Sequence, residues 1–127
     1  MCDVLLVEDH PEVLELVQLA LELRGYAVAV CATAKEALDR LCASRLPQAL
    51  VTDIDLGRGP DGFAVADAAR RVRTDLRVLF YSGHAAPPEG RGLGQNERFL
   101  EKPFSRLALF ETLEELGVRP SGEPLTR

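Results

Sequence analysis

Residues 4–11 read Val4-Leu5-Leu6-Val7-Glu8-Asp9-His10-Pro11, and this stretch decides the fold. Four apolar residues in a row, with no polar alternation, predict a strand buried on both faces, as in a parallel sheet covered by helices on either side. Two acids close the run. Pro11 follows at a position that suits the first turn of a helix, where the missing N–H costs nothing. Leu14, Val17 and Leu21 then recur at helical spacing as far as Arg24, and Gly25 stands where a helix ends on a left-handed residue.

The same unit repeats outward along the chain. Residues 26–31 read as a second strand. Thr33, with Glu36 three residues on, has the capping-box pattern ahead of the stripe Ala34, Ala37, Leu38 and Leu41. Pro47 interrupts the chain before a third strand, Ala49-Leu50-Val51-Thr52. Gly57-Arg58-Gly59-Pro60-Asp61-Gly62 is a loop by composition. Residues 63–73 read as a helix with Val65, Ala68, Ala69 and Val72 on one face. Residues 77–81 form a fourth strand and residues 98–101 a short fifth. Ser105 caps a last helix carrying Leu109, Leu113 and Leu116. Pro87, Pro88, Gly90, Gly92 and Gly94 make a fourth helix, between the last two strands, short or irregular. Alternating strands and helices predict an α/β domain with one parallel sheet. The tail 118–127 holds Pro120 and Pro124 and is expected to be disordered, leaving 1–117 as the domain.

Composition narrows the class. The 127 residues fit one domain, and 46% hydrophobic with 28% charged residues suits a soluble globular protein. A net charge of −5 and a pI near 5.0 argue against nucleic acid as a direct partner. No apolar run is long enough to span a bilayer, and no basic leader precedes the first strand. Cys2, Cys31 and Cys42 are odd in number and lack metal-site spacing, so they read as reduced thiols in a cytoplasmic protein.

Ligands of open α/β sheets bind beyond the carboxyl ends of the strands. There the first strand delivers Glu8 and Asp9, the third Asp53 and then Asp55, the fourth Ser82, and the fifth Lys102 followed by Pro103. Clustered carboxylates repel one another unless a proton or cation compensates. Mg2+ is the natural compensator, since it prefers oxygen ligands, takes one or two carboxylates and leaves room for phosphate. Acids around a cation beside one lysine suit phosphoryl transfer.

These residues resemble the receiver domain of two-component response regulators over about residues 3–116. The matching pieces are Val4-Leu5-Leu6-Val7-Glu8-Asp9, Val51-Thr52-Asp53-Ile54-Asp55-Leu56, Asp61-Gly62, Tyr81-Ser82-Gly83-His84 and Lys102-Pro103-Phe104, in this order. The resemblance implies a flavodoxin-like, doubly wound five-stranded sheet in the order 2-1-3-4-5. It implies that Asp53 accepts a phosphoryl group, and that Mg2+ is held by Asp9, Asp53 and the backbone carbonyl of Asp55, with Glu8 acting through metal-bound water. Lys102 and Ser82 would contact the phosphoryl oxygens, a cis Lys102-Pro103 bond would direct the lysine inward, and Phe99 would be the switch aromatic. Asp55 and His84 would border the path of a hydrolytic water, while His10 is expected to cap the first helix. The donor would be a sensor histidine kinase or histidine phosphotransfer protein, with output passing through contacts to a further protein or the phosphoryl group moving on in a phosphorelay. Because the chain ends soon after the last helix, it reads as a single-domain regulator.

Two departures stand out. Gly57 occupies a position where the family usually has proline, and the loop before Asp61-Gly62 is one residue longer than its commonest form. Two other functions compete. Asp53-Ile54-Asp55 also resembles the motif of haloacid dehalogenase-type phosphatases, but that family needs a later acidic pair after a further strand. A pseudo-receiver that binds partners without phosphorylation is the other, against which the complete set of acids, hydroxyl and lysine speaks.

Overall fold

The side chains of the first strand divide strictly by parity, and the whole molecule is organised around that division. In the computed structural model, which describes residues 3–43, 47–57, 61–83 and 93–123, Leu5 and Val7 face one cluster of buried residues and Val4 and Leu6 the other. Successive residues of a strand point to opposite sides, so four apolar residues in a row require a covered sheet on both.

The elements run β1 (Val4–Val7), α1 (Pro11–Leu23), β2 (Val28–Cys31), α2 (Ala34–Ala43), β3 (Ala49–Asp53), α3 (Gly62–Val72), β4 (Arg77–Ser82), β5 (Glu97–Glu101) and α4 (Arg106–Glu115). The five strands form one sheet in the order β2-β1-β3-β4-β5, parallel throughout. This is the expected 2-1-3-4-5 order. Helices α2 and α3 cover one face through Ala37, Leu41, Val65, Ala66 and Ala69, and α1 and α4 cover the other through Val17, Leu21, Leu109 and Leu113. Replacing a fully buried residue such as Leu6 by alanine would cost about 2–5 kcal/mol. The register sets Val7 beside Thr52, Asp53 beside Tyr81, and Ser82 beside Glu101, so all the strand ends open on one crevice.

Local signals act mostly as expected. The Thr33 hydroxyl accepts from the Glu36 N–H, and Ser105 accepts from Ala108; Asp61, whose capping role was not read from sequence, caps α3 by accepting from Ala64. Gly25 follows α1 at a φ of +102°. His10 does occupy the position before α1, but its side chain makes no capping bond. Its backbone N–H instead donates to Glu8. Val72 is 64% exposed rather than inward-facing. The buried face of α3 is centred on Val65, Ala66 and Ala69, which leaves Ala68 and Val72 toward its edge.

The expected disorder of 118–127 does not hold for residues 118–123. Val118 is fully buried, Tyr26 donates its hydroxyl to the Val118 carbonyl, and the Gly122 N–H donates to the Gly25 carbonyl. Ser121 donates both its N–H and its hydroxyl to Asp3, at 2.9 and 2.8 Å. Prolines excluded a helix here but not an extended segment, whose partners are remote in sequence. The expectation of a short or irregular helix between the last two strands falls largely on residues 84–92, which lie outside the described residues, as do residues 58–60 and 124–127.

Candidate functional site

Each strand end contributes what its sequence promised. Glu8 follows β1 and is fully buried, Asp9 beside it is exposed, and Asp53, the last residue of β3, is 5% exposed. One carboxylate oxygen from each lies within 4.8 Å of the others. Lys102 reaches in from the end of β5: its Nζ is 2.8 Å from Asp53 Oδ2 and 3.6 Å from Glu8 Oε1. The other Asp53 oxygen accepts from the Asp55 N–H at 2.9 Å. Ser82, buried at the end of β4, donates its hydroxyl to Asp55 Oδ2 at 3.3 Å, and its carbonyl accepts from the Lys102 N–H at 2.7 Å. The Lys102–Pro103 peptide bond is cis.

Two glycines lie against residues of the site, Gly57 beside the Asp9 side chain and Gly62 against the Asp53 backbone. Gly57 has a φ of +74°, which proline, held near −65°, could not take up. At Gly62 a Cβ would lie 2.4 Å from the Asp53 carbonyl oxygen, so α3 begins against the backbone of Asp53 only because that side chain is missing.

The electrostatics follow from burial and proximity. Burial pushes the Glu8 carboxyl above its ordinary range, and Asp53 adds to this; the His10 N–H, the Tyr81 hydroxyl and Lys102 oppose it without cancelling it. Burial alone would lower Lys102, but the hydrogen bond and charge of Asp53, with the charge of Glu8, hold its pKa above the usual lysine value. Burial and the adjacent Glu8 charge push the Tyr81 phenol strongly upward, so Tyr81 stays protonated and donates.

The remaining expected residues divide. Phe99 on β5 is half-buried, paired in register with Phe80, and packs on the α2–α3 side. The exposed Asp55 contributes its N–H to Asp53 and its carboxylate to Ser82. His84 lies outside the described residues. Tyr81 was missed. Its hydroxyl donates to Glu8 Oε1 at 2.7 Å, its ring stands 5.1 Å from Lys102 Nζ, and it meets Phe104 edge-on at 5.4 Å. The signal was present, because a tyrosine in an otherwise buried apolar strand needs a partner for its hydroxyl.

Three carboxylates, two of them buried, lie together, the Lys102 ammonium faces two of them, Glu8 and Asp53, and an excess of negative charge is left. All the side-chain donors are hard oxygens, so the donor set fits Mg2+. No helix among the described residues is long and apolar enough to cross a membrane.

Known proteins share this architecture. The chain is 34% identical to the nitrogen assimilation regulatory protein NtrX of Azorhizobium caulinodans, over 92% of its own length and 27% of that protein's. It is 32% identical to the C4-dicarboxylate transport transcriptional regulatory protein DctD of Pseudomonas aeruginosa, over 87% and 24%. It thus spans about a quarter of these relatives. A response regulator receiver protein from Sinorhizobium medicae superposes with a TM-score of 0.83 at 28% identity, covering 89% of this chain and 91% of the other. The profile of the response regulator receiver domain matches residues 4–114, which include every strand and the whole acidic crevice. With sheet order, strand-end acids and sequence in agreement, the chain belongs to the receiver domain family of two-component response regulators.

Proposed function

We propose that this domain is a switch controlled by phosphorylation of Asp53. The observation that carries the reading is the pairing of the Glu8–Asp9–Asp53 cluster with Lys102, 2.8 Å from Asp53, at the carboxyl end of a parallel sheet. Asp9, Asp53 and the Asp55 carbonyl would hold Mg2+, with Glu8 acting through its water. When bound, Mg2+ offsets the charge of the carboxylates and of the incoming phosphoryl oxygens. An Asp53 carboxylate oxygen attacks phosphorus; the new O–P bond forms as the P–N bond of a phosphohistidine breaks, and the electron pair leaves with the imidazole. Lys102 pairs with one phosphoryl oxygen and Ser82 donates to another.

The donor is a sensor histidine kinase or a histidine phosphotransfer protein, which places the chain in the cytoplasm. Engagement of Ser82 biases the domain toward its active conformer, with Phe99 turning inward, and a downstream protein reads the change. Asp55 and His84 tune the lifetime of the acyl phosphate. Residues 1–117 form the receiver unit, with 118–123 laid against it.

A small acyl phosphate with Mg2+ should add one base-labile phosphoryl group, visible by intact mass. Asp53→Asn should abolish the adduct and Asp55→Asn should retain it. Labelling that persists in Asp53→Asn and vanishes in Asp55→Asn would move the acceptor to Asp55.

A further inference from the structure

We infer that Tyr81 is a positioning residue of this pocket: its hydroxyl holds the buried Glu8 carboxylate and thereby leaves Lys102 to Asp53. The inference rests on the phosphorylation reading and adds to it the residue that apportions the lysine.

Glu8 is fully buried, so its oxygens must be satisfied by protein groups. Oε2 accepts from the His10 N–H at 3.0 Å. Oε1 has two donors within reach, the Tyr81 hydroxyl at 2.7 Å and Lys102 Nζ at 3.6 Å. Lys102 in turn lies between two carboxylates and takes the closer contact, to Asp53 at 2.8 Å. The two acids therefore compete for one ammonium, and the phenol settles the competition. It gives Glu8 a neutral donor, which satisfies the carboxylate without adding a positive charge to the place a cation would occupy. Remove the hydroxyl and, of the two donors described at Glu8 Oε1, Lys102 remains, drawn away from the phosphoryl acceptor.

The tyrosine is held for this task. Its ring is fully buried, packed edge-on against Phe104 and set in the α1–α4 side of the core. The face of the ring stands 5.1 Å from Lys102 Nζ, close enough for attraction between ammonium and π-system. One side chain thus braces the lysine with its ring and removes the lysine's competitor with its hydroxyl.

The test is Tyr81→Phe, which keeps the ring and deletes the hydroxyl, combined in a double-mutant cycle with Glu8→Met, which removes the acceptor. Mg2+ affinity is measured by isothermal titration calorimetry on the unphosphorylated protein, and labelling rate with a small acyl phosphate. A group that orients a metal ligand contributes about 10-fold or more to affinity or activity. Tyr81→Phe should therefore bind Mg2+ about 10-fold more weakly and label about 10-fold more slowly. In the Glu8→Met background the same substitution should change either quantity by less than about twofold. Wild-type values in Tyr81→Phe would overturn the inference, as would an equal loss in both backgrounds, which would show a general packing effect. A wild-type protein that neither binds Mg2+ nor takes up a phosphoryl group would instead remove the phosphorylation reading, and this inference with it.

Discussion

Lys102→Met should make the stability of this domain depend on Mg2+ far more than it does in the wild type. The substitution keeps most of the side-chain volume and removes the ammonium that faces Asp53 at 2.8 Å and Glu8 at 3.6 Å. Glu8 is fully buried and Asp53 is 5% exposed, so neither can recover its full hydration. Removing one partner of a buried ion pair costs about 3–5 kcal/mol. The lysine side chain is 29% exposed, so solvent already screens part of its interaction, and about 2 kcal/mol is the appropriate expectation. In a domain of this size that is a fall in Tm of roughly 8 °C. Saturating Mg2+ should reverse it. A cation at 100 times its Kd stabilises by about 2.7 kcal/mol in any case. In the variant it also meets no competing ammonium, so the gap to wild type should shrink below about 1 kcal/mol. Calorimetric melts of both proteins in chelator and in excess Mg2+ measure the four values. Equal stability in chelator, or a gap that Mg2+ leaves unchanged, would refute the idea that Lys102 and the cation compensate the same acids.

Two further outcomes test the frame around the site. Asp3 is 4% exposed; burial alone would raise its pKa, but N–H groups of Ala27 and Ser121, the Ser121 hydroxyl and Gln48 outweigh that and hold it below the usual carboxylate value. Its contribution is thus complete above about pH 4 and lost as pH falls through the lowered folded value. Asp3→Asn should cost about 2 kcal/mol in urea unfolding at pH 7, and the gap to wild type should narrow by pH 3; an unchanged gap would show that ionisation of Asp3 is not what secures the 118–123 segment. Gly62→Ala places a Cβ 2.4 Å from the Asp53 carbonyl oxygen. It should destabilise by about 1–3 kcal/mol and slow acyl phosphate labelling, and a variant with wild-type stability and labelling would show that α3 can shift away freely.

The sequence by itself determined the elements, their alternation and the polar residues at the strand ends. Continuous apolar runs such as Val4–Val7 can only be buried on both faces, so the covered parallel sheet followed from local pattern. The acids at the ends of β1 and β3, Ser82 at the end of β4 and Lys102 after β5 were legible because the end of each run is itself visible in sequence, and ligand sites of such sheets lie there. Tertiary structure alone decided contacts whose partners are far apart in the chain. Tyr81 meets Glu8 across 73 residues and Ser121 meets Asp3 across 118. The need for a partner could be read from a buried hydroxyl or from a carboxylate beside a strand, but the identity of the partner could not. Likewise, Gly62 is recognisable as a loop glycine, while the Asp53 carbonyl it must clear belongs to another element. Periodicity and breakers report what one segment needs from its own neighbours. Which remote group meets that need is settled only when register and helix packing bring the segments together in space.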